Sequence, residues 1–275
     1  PRNIEDGYLI ESGFVTNDRN IDIPNSDTIW SVNGNDILTE KSSVKLSWSN
    51  NQGITFEKEI VLDDKFLFTI TQRVVNSTKK KYDFYSYGQI IRNKIPEGLS
   101  NFYILHEGLI ATLDDELIEE DYDDIQDQKF SRVAKKGWLG IGDKYFVASL
   151  IPPKNKEFKT TFDYKDKFRA NFISTEPKKL DANSSIEESL KVIVAAKRVD
   201  VIDGYAESLK IDKFDLVIDW GFLYFITKPL FFGIDYFFKL LGNYGLAIIA
   251  ITICIRLAFF PLANFSFRSM AKMKA

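Results

Sequence analysis

One cation stands alone in a long uncharged run. Leu240 to Phe267 is 28 residues whose only charge is Arg256, with Arg268, Lys272 and Lys274 just beyond. A guanidinium at membrane depth costs roughly 2.5–3.5 kcal/mol on insertion scales, so it normally faces protein or a wet cavity, and function is the usual reason to keep it. A static pairing with a neighbouring helix is the blander role, and a costly way to hold helices together. The second group with chemical potential is His106 followed by Glu107. Acid–base catalysis needs groups placed on both sides of a reacting centre, which one histidine and one adjacent carboxylate do not define, so His106 reads as structural. Gly137, Gly140 and Gly142 do not form a phosphate loop, because no helical pattern follows them and Gly142-Asp143-Lys144 reads as a hairpin turn. Trp30, Trp48 and Trp138 read as core or turn-packing aromatics rather than a sugar platform. No nucleophile elbow or metal-ligand cluster stands out, so no catalytic residue, metal or cofactor is expected.

The element that must carry Arg256 is long enough to span a bilayer. Tyr244 to Ala263 is 20 residues, which at ~1.5 Å per residue covers the ~30 Å hydrocarbon layer. A buried core helix rarely stays apolar on every face for so long. On a helical projection Gly245, Thr252, Arg256 and Ala263 share a stripe turned toward protein or water, roughly opposite Ala247, Ile251, Cys254 and Ala258. Pro261 predicts a kink in the last turns. The positive-inside rule places Arg268, Lys272 and Lys274, and with them the C-terminus, in the cytoplasm, leaving residues 1–218 on the outer side. Ahead of the span, nine of the 19 residues from Trp220 to Phe238 are aromatic. Such a sparsely charged segment predicts an interfacial helix, interrupted near Pro229 and anchored by Trp220, Tyr224, Phe225 and Tyr236.

Composition bounds the rest. The six basic and two acidic residues of 219–275 leave 30 basic against 37 acidic residues for 1–218, a net charge of −7. So acidic a module is a poor nucleic-acid binder. The single cysteine, Cys254, lies in the span, so the outer module folds without disulfides. Because the bulk of the chain must cross a membrane and no basic, apolar leader is found at its start, a signal or anchor is expected ahead of Pro1.

Residues 1–196 read as strands joined by turns. Ile54–Leu62, Phe66–Asn76, Lys81–Arg92, Phe102–Leu113 and Phe158–Ser174 alternate apolar and polar residues, as with Phe66, Phe68, Ile70 and Val74 against Leu67, Thr69, Thr71 and Arg73. Around fourteen strands with no intervening helices and no linker predict one large antiparallel, two-layered sandwich. The acidic stretch Asp114 to Asp127 reads as a solvated strand edge and loop rather than a calcium site. A short helix is predicted from Val199 to Lys210, within a connector over 199–218.

The tail resembles the bacterial YidC membrane-protein insertases at Phe214–Phe231 (FDLVIDWGFLYFITKPLF), Asn243–Ile249 (NYGLAII), Arg256, Phe260–Leu262 and Ser269–Lys274 (SMAKMK). The outer module is similar to that family's periplasmic domain at Tyr8–Val15, Trp48–Gly53, Thr71–Asn76, Tyr103–Gly108 and Gly137–Phe146. The resemblance covers essentially the whole chain. It implies a mainly β fold, a mutarotase-like β-super-sandwich over 1–198. A short helix and connector (199–218), an interfacial amphipathic helix (219–240), a transmembrane helix (241–267) and the start of a cytoplasmic hairpin (268–275) then follow.

For function, the resemblance implies a noncatalytic insertase and chaperone of the bacterial inner membrane. Arg256, with Thr252 on the same stripe, would project into a hydrophilic groove that receives the polar part of nascent membrane-protein substrates. The partners implied are those substrates, the lipid bilayer and the Sec translocon with its accessory subunits, which residues 199–218 and the sandwich edges could meet. Physically, a partly desolvated cation lowers the cost of bringing an acidic or polar stretch into the membrane plane. Two rivals stay open: a membrane-tethered carbohydrate-binding or mutarotase-like sandwich, for which His106 would need a paired acid and base, and a single-pass receptor in which Arg256 pairs with a partner helix.

Overall fold

Alternation of apolar and polar residues builds the first part of the chain from antiparallel strands. The computed structural model describes residues 7–96, 106–221 and 223–274, with side chains as far as Phe265. The first strands are β1 (Tyr8–Val15), β2 (Ser31–Val32), β3 (Val44–Ser49), β4 (Ile54–Leu62), β5 (Leu67–Asn76), β6 (Tyr82–Arg92), β7 (Gly108–Leu113) and β8 (Glu116–Asp121). After helix α1 (Tyr122–Asp127) come β9 (Phe130–Ala134), β10 (Gly137–Gly142), β11 (Phe146–Ile151), β12 (Phe158–Tyr164), β13 (Phe168–Ser174), β14 (Lys178–Leu180) and β15 (Ser185–Ala196). Helix α2 (Val199–Ser208), a 3-10 turn (Phe214–Val217), α3 (Tyr224–Leu241) and α4 (Tyr244–Lys274) complete the chain. Residues 1–219 and 220–275 form two compact units.

In the first unit, a nine-stranded sheet runs β2-β3-β4-β5-β15-β11-β10-β7-β8, and a six-stranded sheet runs β1-β6-β13-β12-β9 with β14 added to β6. Every pairing is antiparallel. The mainly β, two-sheet reading of the sequence therefore holds. Between the sheets, Ile90, Phe162, Phe168 and Phe172 meet Leu109, Leu139, Ile141, Leu150, Leu190 and Val192 in one apolar cluster. A smaller cluster of Phe14, Ile54, Phe56, Val74, Phe84 and Leu180 fills the other end.

The outer face of the large sheet is buried too. Trp138, Val147, Ile193 and Ala195 are covered by Val201, Ile202 and Tyr205 of α2 and by Phe214 and Val217 of the 3-10 turn, each such side chain contributing about 1.5–3 kcal/mol by burial. This cover corrects the expectation of alternation at β7: all six residues from Gly108 to Leu113 are buried, because the strand has core on both faces. Residues 102–105 of that predicted strand lie outside the described residues. The predicted strand 158–174 is a hairpin of β12 and β13, turning at Asp166 with φ 60°.

The acidic stretch 114–127 is also more ordered than a solvated edge and loop. Asp114 and Asp115 make the turn with positive φ, β8 is indeed an edge strand, and α1 then buries Tyr122 and Ile125 in the core. A second correction falls at Pro229. Helix α3 runs through it unbroken, because the proline sits in the second turn, where its missing N–H removes one backbone bond and no buried partner is lost.

Candidate functional site

Helices α3 and α4 form a tight hairpin within the second unit. Gly242, at φ 67°, closes α3 in the left-handed conformation and its N–H donates to the Phe238 carbonyl. Asn243 starts α4, its side-chain oxygen accepting from the Leu246 N–H at 3.2 Å. Phe238 and Tyr244 stack across the turn with ring centroids 4.1 Å apart. The helices approach closely at Gly233, where an added Cβ would lie 2.8 Å from Ile251 Cδ1.

The face of α4 that meets α3 carries Ala247, fully buried, and Ile251, half-buried. Thr252 and Arg256, one turn apart, lie exposed. Thr252 Oγ1 donates to the Ile248 carbonyl at 2.7 Å, so its hydrogen is taken by the helix itself. The Arg256 guanidinium has no hydrogen-bond or ionic partner among the described residues. Tyr244–Phe265 is 22 residues long and only 6% of its most apolar window is buried. A soluble core helix would be covered by protein, whereas this one presents Ile249, Leu257, Phe260 and Leu262 to its surroundings.

The anchor residues spread along α3 and its approach. Trp220 meets Phe231 edge-on at 5.6 Å, with the Lys228 ammonium 5.7 Å from its ring centre. Tyr224, Phe225 and Tyr236 are exposed, which suits aromatic rings seated at a headgroup layer. Arg268, Lys272 and Lys274 fall in the last turns of α4 by backbone, and their side chains lie outside the described residues.

In the sandwich, the hairpin turn at Asp143 is more than a turn. Its carboxylate accepts from Arg92 Nη1 at 2.5 Å, Tyr8 Oη at 2.6 Å and Tyr122 Oη at 3.4 Å. Burial, and then the Asp143 charge, pushes the Tyr8 hydroxyl far above its ordinary pKa, so it stays a donor. Lys197 nearby is pushed down by burial against the pull of Asp143, Asp219, Glu107 and Glu119.

His106 faces acceptors at both ring nitrogens, Asp121 Oδ1 at 3.2 Å and the Leu109 carbonyl at 3.3 Å, while its backbone N–H donates to Asp219 Oδ2 at 2.9 Å. It clips residue 219, where the first unit ends, onto the start of β7. Trp138 is core and meets Phe214 edge-on, Trp48 leans on Phe56, and Trp30 is half-buried under the Lys58 ammonium at 5.2 Å. Burial pushes the Lys58 amine down to about 8, against the pull of Glu11. Sequence reasoning passed over Asp143, Lys58 and Gln72. The signal for the last two is phase, since each sits where its strand alternation calls for an apolar residue.

A large antiparallel sandwich joined to an aromatic helical hairpin, whose second helix is apolar on nearly every face, defines a membrane protein with an aqueous domain. The chain matches the YidC periplasmic domain over residues 1–232. It is 71% identical over 274 residues to the membrane protein insertase YidC of Pelagibacter ubique, covering all of this chain and 49% of that protein. It is 39% identical over 282 residues to that of Brucella melitensis and 40% identical over 283 to that of Rickettsia typhi, covering all of this chain and 46% and 50% of theirs. The chain belongs to the YidC family. It spans about half the length of these relatives. Among solved structures it is similar to a galactose mutarotase related enzyme from Lactobacillus acidophilus, with a TM-score of 0.45 and 11% identity over 61% of this chain and 71% of that one, a distance at which likeness says nothing of activity.

Proposed function

We propose that this chain is the outer domain and first core membrane helix of an insertase that helps inner-membrane proteins integrate and fold, alone or beside the Sec translocon. In this reading residues 1–218 are periplasmic, 219–240 lie in the interface, 241–267 span, and 268–275 begin a cytoplasmic hairpin. The role is noncatalytic. The observation that carries it is Arg256, exposed and without a partner among the described residues, in the middle of an apolar helix. An unneutralised cation there favours the approach of acidic or polar parts of a client, and burial of the client's apolar surface in lipid drives its release. The family relationship supports the same reading.

The test is Arg256→Ala in the full-length protein, with Arg256→Lys beside it, measured as protease protection of newly made clients in inverted membrane vesicles. Integration of clients with acidic or polar translocated ends should fall about tenfold or more, as expected for the loss of ~1.4 kcal/mol or more of charge stabilisation, while apolar clients insert normally and lysine restores part of the loss. Equal integration of both client kinds by the alanine variant would remove the role given to Arg256.

A further inference from the structure

The two ends of the sandwich are built differently. At one end the strands are joined by the turns 50–53, 77–81, 114–115, 135–136, 152–157, 175–177 and 181–184, and these contain no aromatic residue. At the other end three hairpin tips each carry or adjoin exposed rings. Between β4 and β5 the chain turns through Asp63-Asp64-Lys65-Phe66, and between β10 and β11 through Asp143-Lys144-Tyr145 into Phe146. Between β12 and β13 it runs from Tyr164 through Lys165-Asp166-Lys167. Phe66, Tyr145, Phe146 and Tyr164 are exposed, as are the four lysines. Turns favour small polar residues, so aromatic rings at three neighbouring tips call for a further cause.

The tips are neighbours in space. The first two flank the end of β15, where the Phe66 carbonyl accepts from the Val194 N–H and the Tyr145 carbonyl from the Lys197 N–H. Arg92 brings in the third, because it pairs with Phe168 at the start of β13 and its guanidinium donates to Asp143. The chain leaves the first unit at this end too. Asp219 accepts from the His106 N–H, two residues before Gly108, which pairs with Gly142 beside the second tip. The charges at the tips favour cations. Asp63 is occupied by the Tyr205 hydroxyl, and Asp143 by Arg92 and Tyr8. Asp64 and Asp166 then stand against Lys65, Lys144, Lys165 and Lys167, none of which has an ion-pair partner among the described residues.

We propose that these three tips rest in the headgroup layer of an anionic phospholipid bilayer, with the lysines against phosphates and the rings at the boundary with the acyl chains. Rings settle at that level because one part of the layer is apolar and the other wet, and lysines gain from the negative surface potential. The inference rests on the reading of 219–240 as interfacial and of α4 as a span: Asp219 leads directly into that segment, so this is the end of the sandwich tethered to the bilayer. Headgroups are hydrated, and the tips stay within reach of water-soluble reagents on their own side.

The test is fluorescence quenching in the full-length protein, with Cys254 and any cysteine outside this chain replaced by serine. A fluorophore is placed at Asp64→Cys on a tip or at Lys135→Cys at the far end, in nanodiscs containing lipid with a nitroxide on its headgroup. In phosphatidylglycerol discs quenching should be at least about threefold stronger at 64 than at 135, and at 64 it should fall about twofold or more in phosphatidylcholine discs. Phe66→Asn with Tyr145→Ser should lower it as well without moving the urea unfolding midpoint, since both side chains are exposed and asparagine tolerates the positive φ at 66. A label on Cys254 alone, read with nitroxides on the acyl chains, reports the span separately. Equal quenching at 64 and 135 beside a quenched Cys254 label would overturn the tip contact alone and leave the rings to a protein partner. Quenching at 64 that is equal in the two lipids, or undiminished in the folded double variant, would overturn it too. A Cys254 label beyond the reach of acyl-chain nitroxides would remove the span and the proposal with it.

Discussion

Among the cations that sit where charge is expensive, Arg256 and Lys58 differ in how visible they are. Arg256 is plain from the sequence because nothing else in its 28-residue run is charged. Lys58 is not, since a lysine in a strand of nine reads as an outward residue until the register places it on the inner face. Its amine is lowered to about 8 chiefly by burial. Below that pH the folded and unfolded chains are both protonated and the full cost of burying the charge is present. Between about 8 and the ordinary lysine value near 10.5 the unfolded chain binds the extra proton, so stability rises with pH. Lys58→Met should therefore raise stability at pH 7 by about 2 kcal/mol, a figure reduced for the lost bond to the Ser12 carbonyl, and its advantage over the parent should shrink markedly by pH 10. Urea unfolding of both proteins at the two pH values checks this; an advantage that did not change with pH would mean the ammonium is well solvated. Gln72 escaped sequence reasoning for the same reason as Lys58, and Asp143 for a different one. The partners of Asp143 come from β1, β6 and the start of α1, and only the tertiary fold joins them.

At the level of elements, the sandwich was legible wherever a strand has one wet face. Ile54–Leu62 matches β4 end to end, and Lys81–Arg92 and Phe66–Asn76 each start one residue before β6 and β5. Phe66 is left out because it turns at φ 69° and stays exposed. Strands β7, β10 and β11 were harder to read, since α2 and the 3-10 turn bury their second face and erase the alternation. That doubly covered region has little room to adjust. Gly137 takes φ 141°, and a Cβ there would lie 1.9 Å from the Thr112 carbonyl oxygen of the neighbouring strand. Gly137→Ala must therefore push β10 away from β7, beneath the fully buried Trp138. A loss of at least ~3 kcal/mol is expected, measurable as a lower denaturation midpoint and faster amide exchange along β7 and β10. A variant as stable as the parent would mean that the backbone at 137 relaxes without disturbing the strand pair. The glycine at 233 is more forgiving, because the atom it faces is the far end of a flexible isoleucine.

For the molecule as a whole, the decisive question is what surrounds α4. Its exposed isoleucines, leucines and phenylalanines are incompatible with water, and the first unit's fifteen described strands already enclose cores of their own. Lipid, with whatever apolar helices accompany it, is the solvent that such a surface requires. The chain carries its own reporter, because its single cysteine, Cys254, lies on this helix two residues before Arg256 and is exposed. Maleimides react with the thiolate, and hydrocarbon admits neither that charge nor a polar reagent. In the membrane-embedded protein, with any cysteine outside this chain replaced by serine, a membrane-impermeant maleimide should leave Cys254 unmodified from either side and should label it once the membrane is dissolved in denaturant. A cysteine placed at the exposed Tyr145, on the tip between β10 and β11 in a Cys254→Ser background, should react from the outer side of intact spheroplasts. Prompt modification of Cys254 in intact membranes would put the helix in water and remove the basis for a charge held at depth. Protection of Cys254 together with labelling of position 145 only after the inner membrane is opened would keep the span but reverse its direction, placing the sandwich in the cytoplasm and Arg256 on a path for clients approaching from the other side.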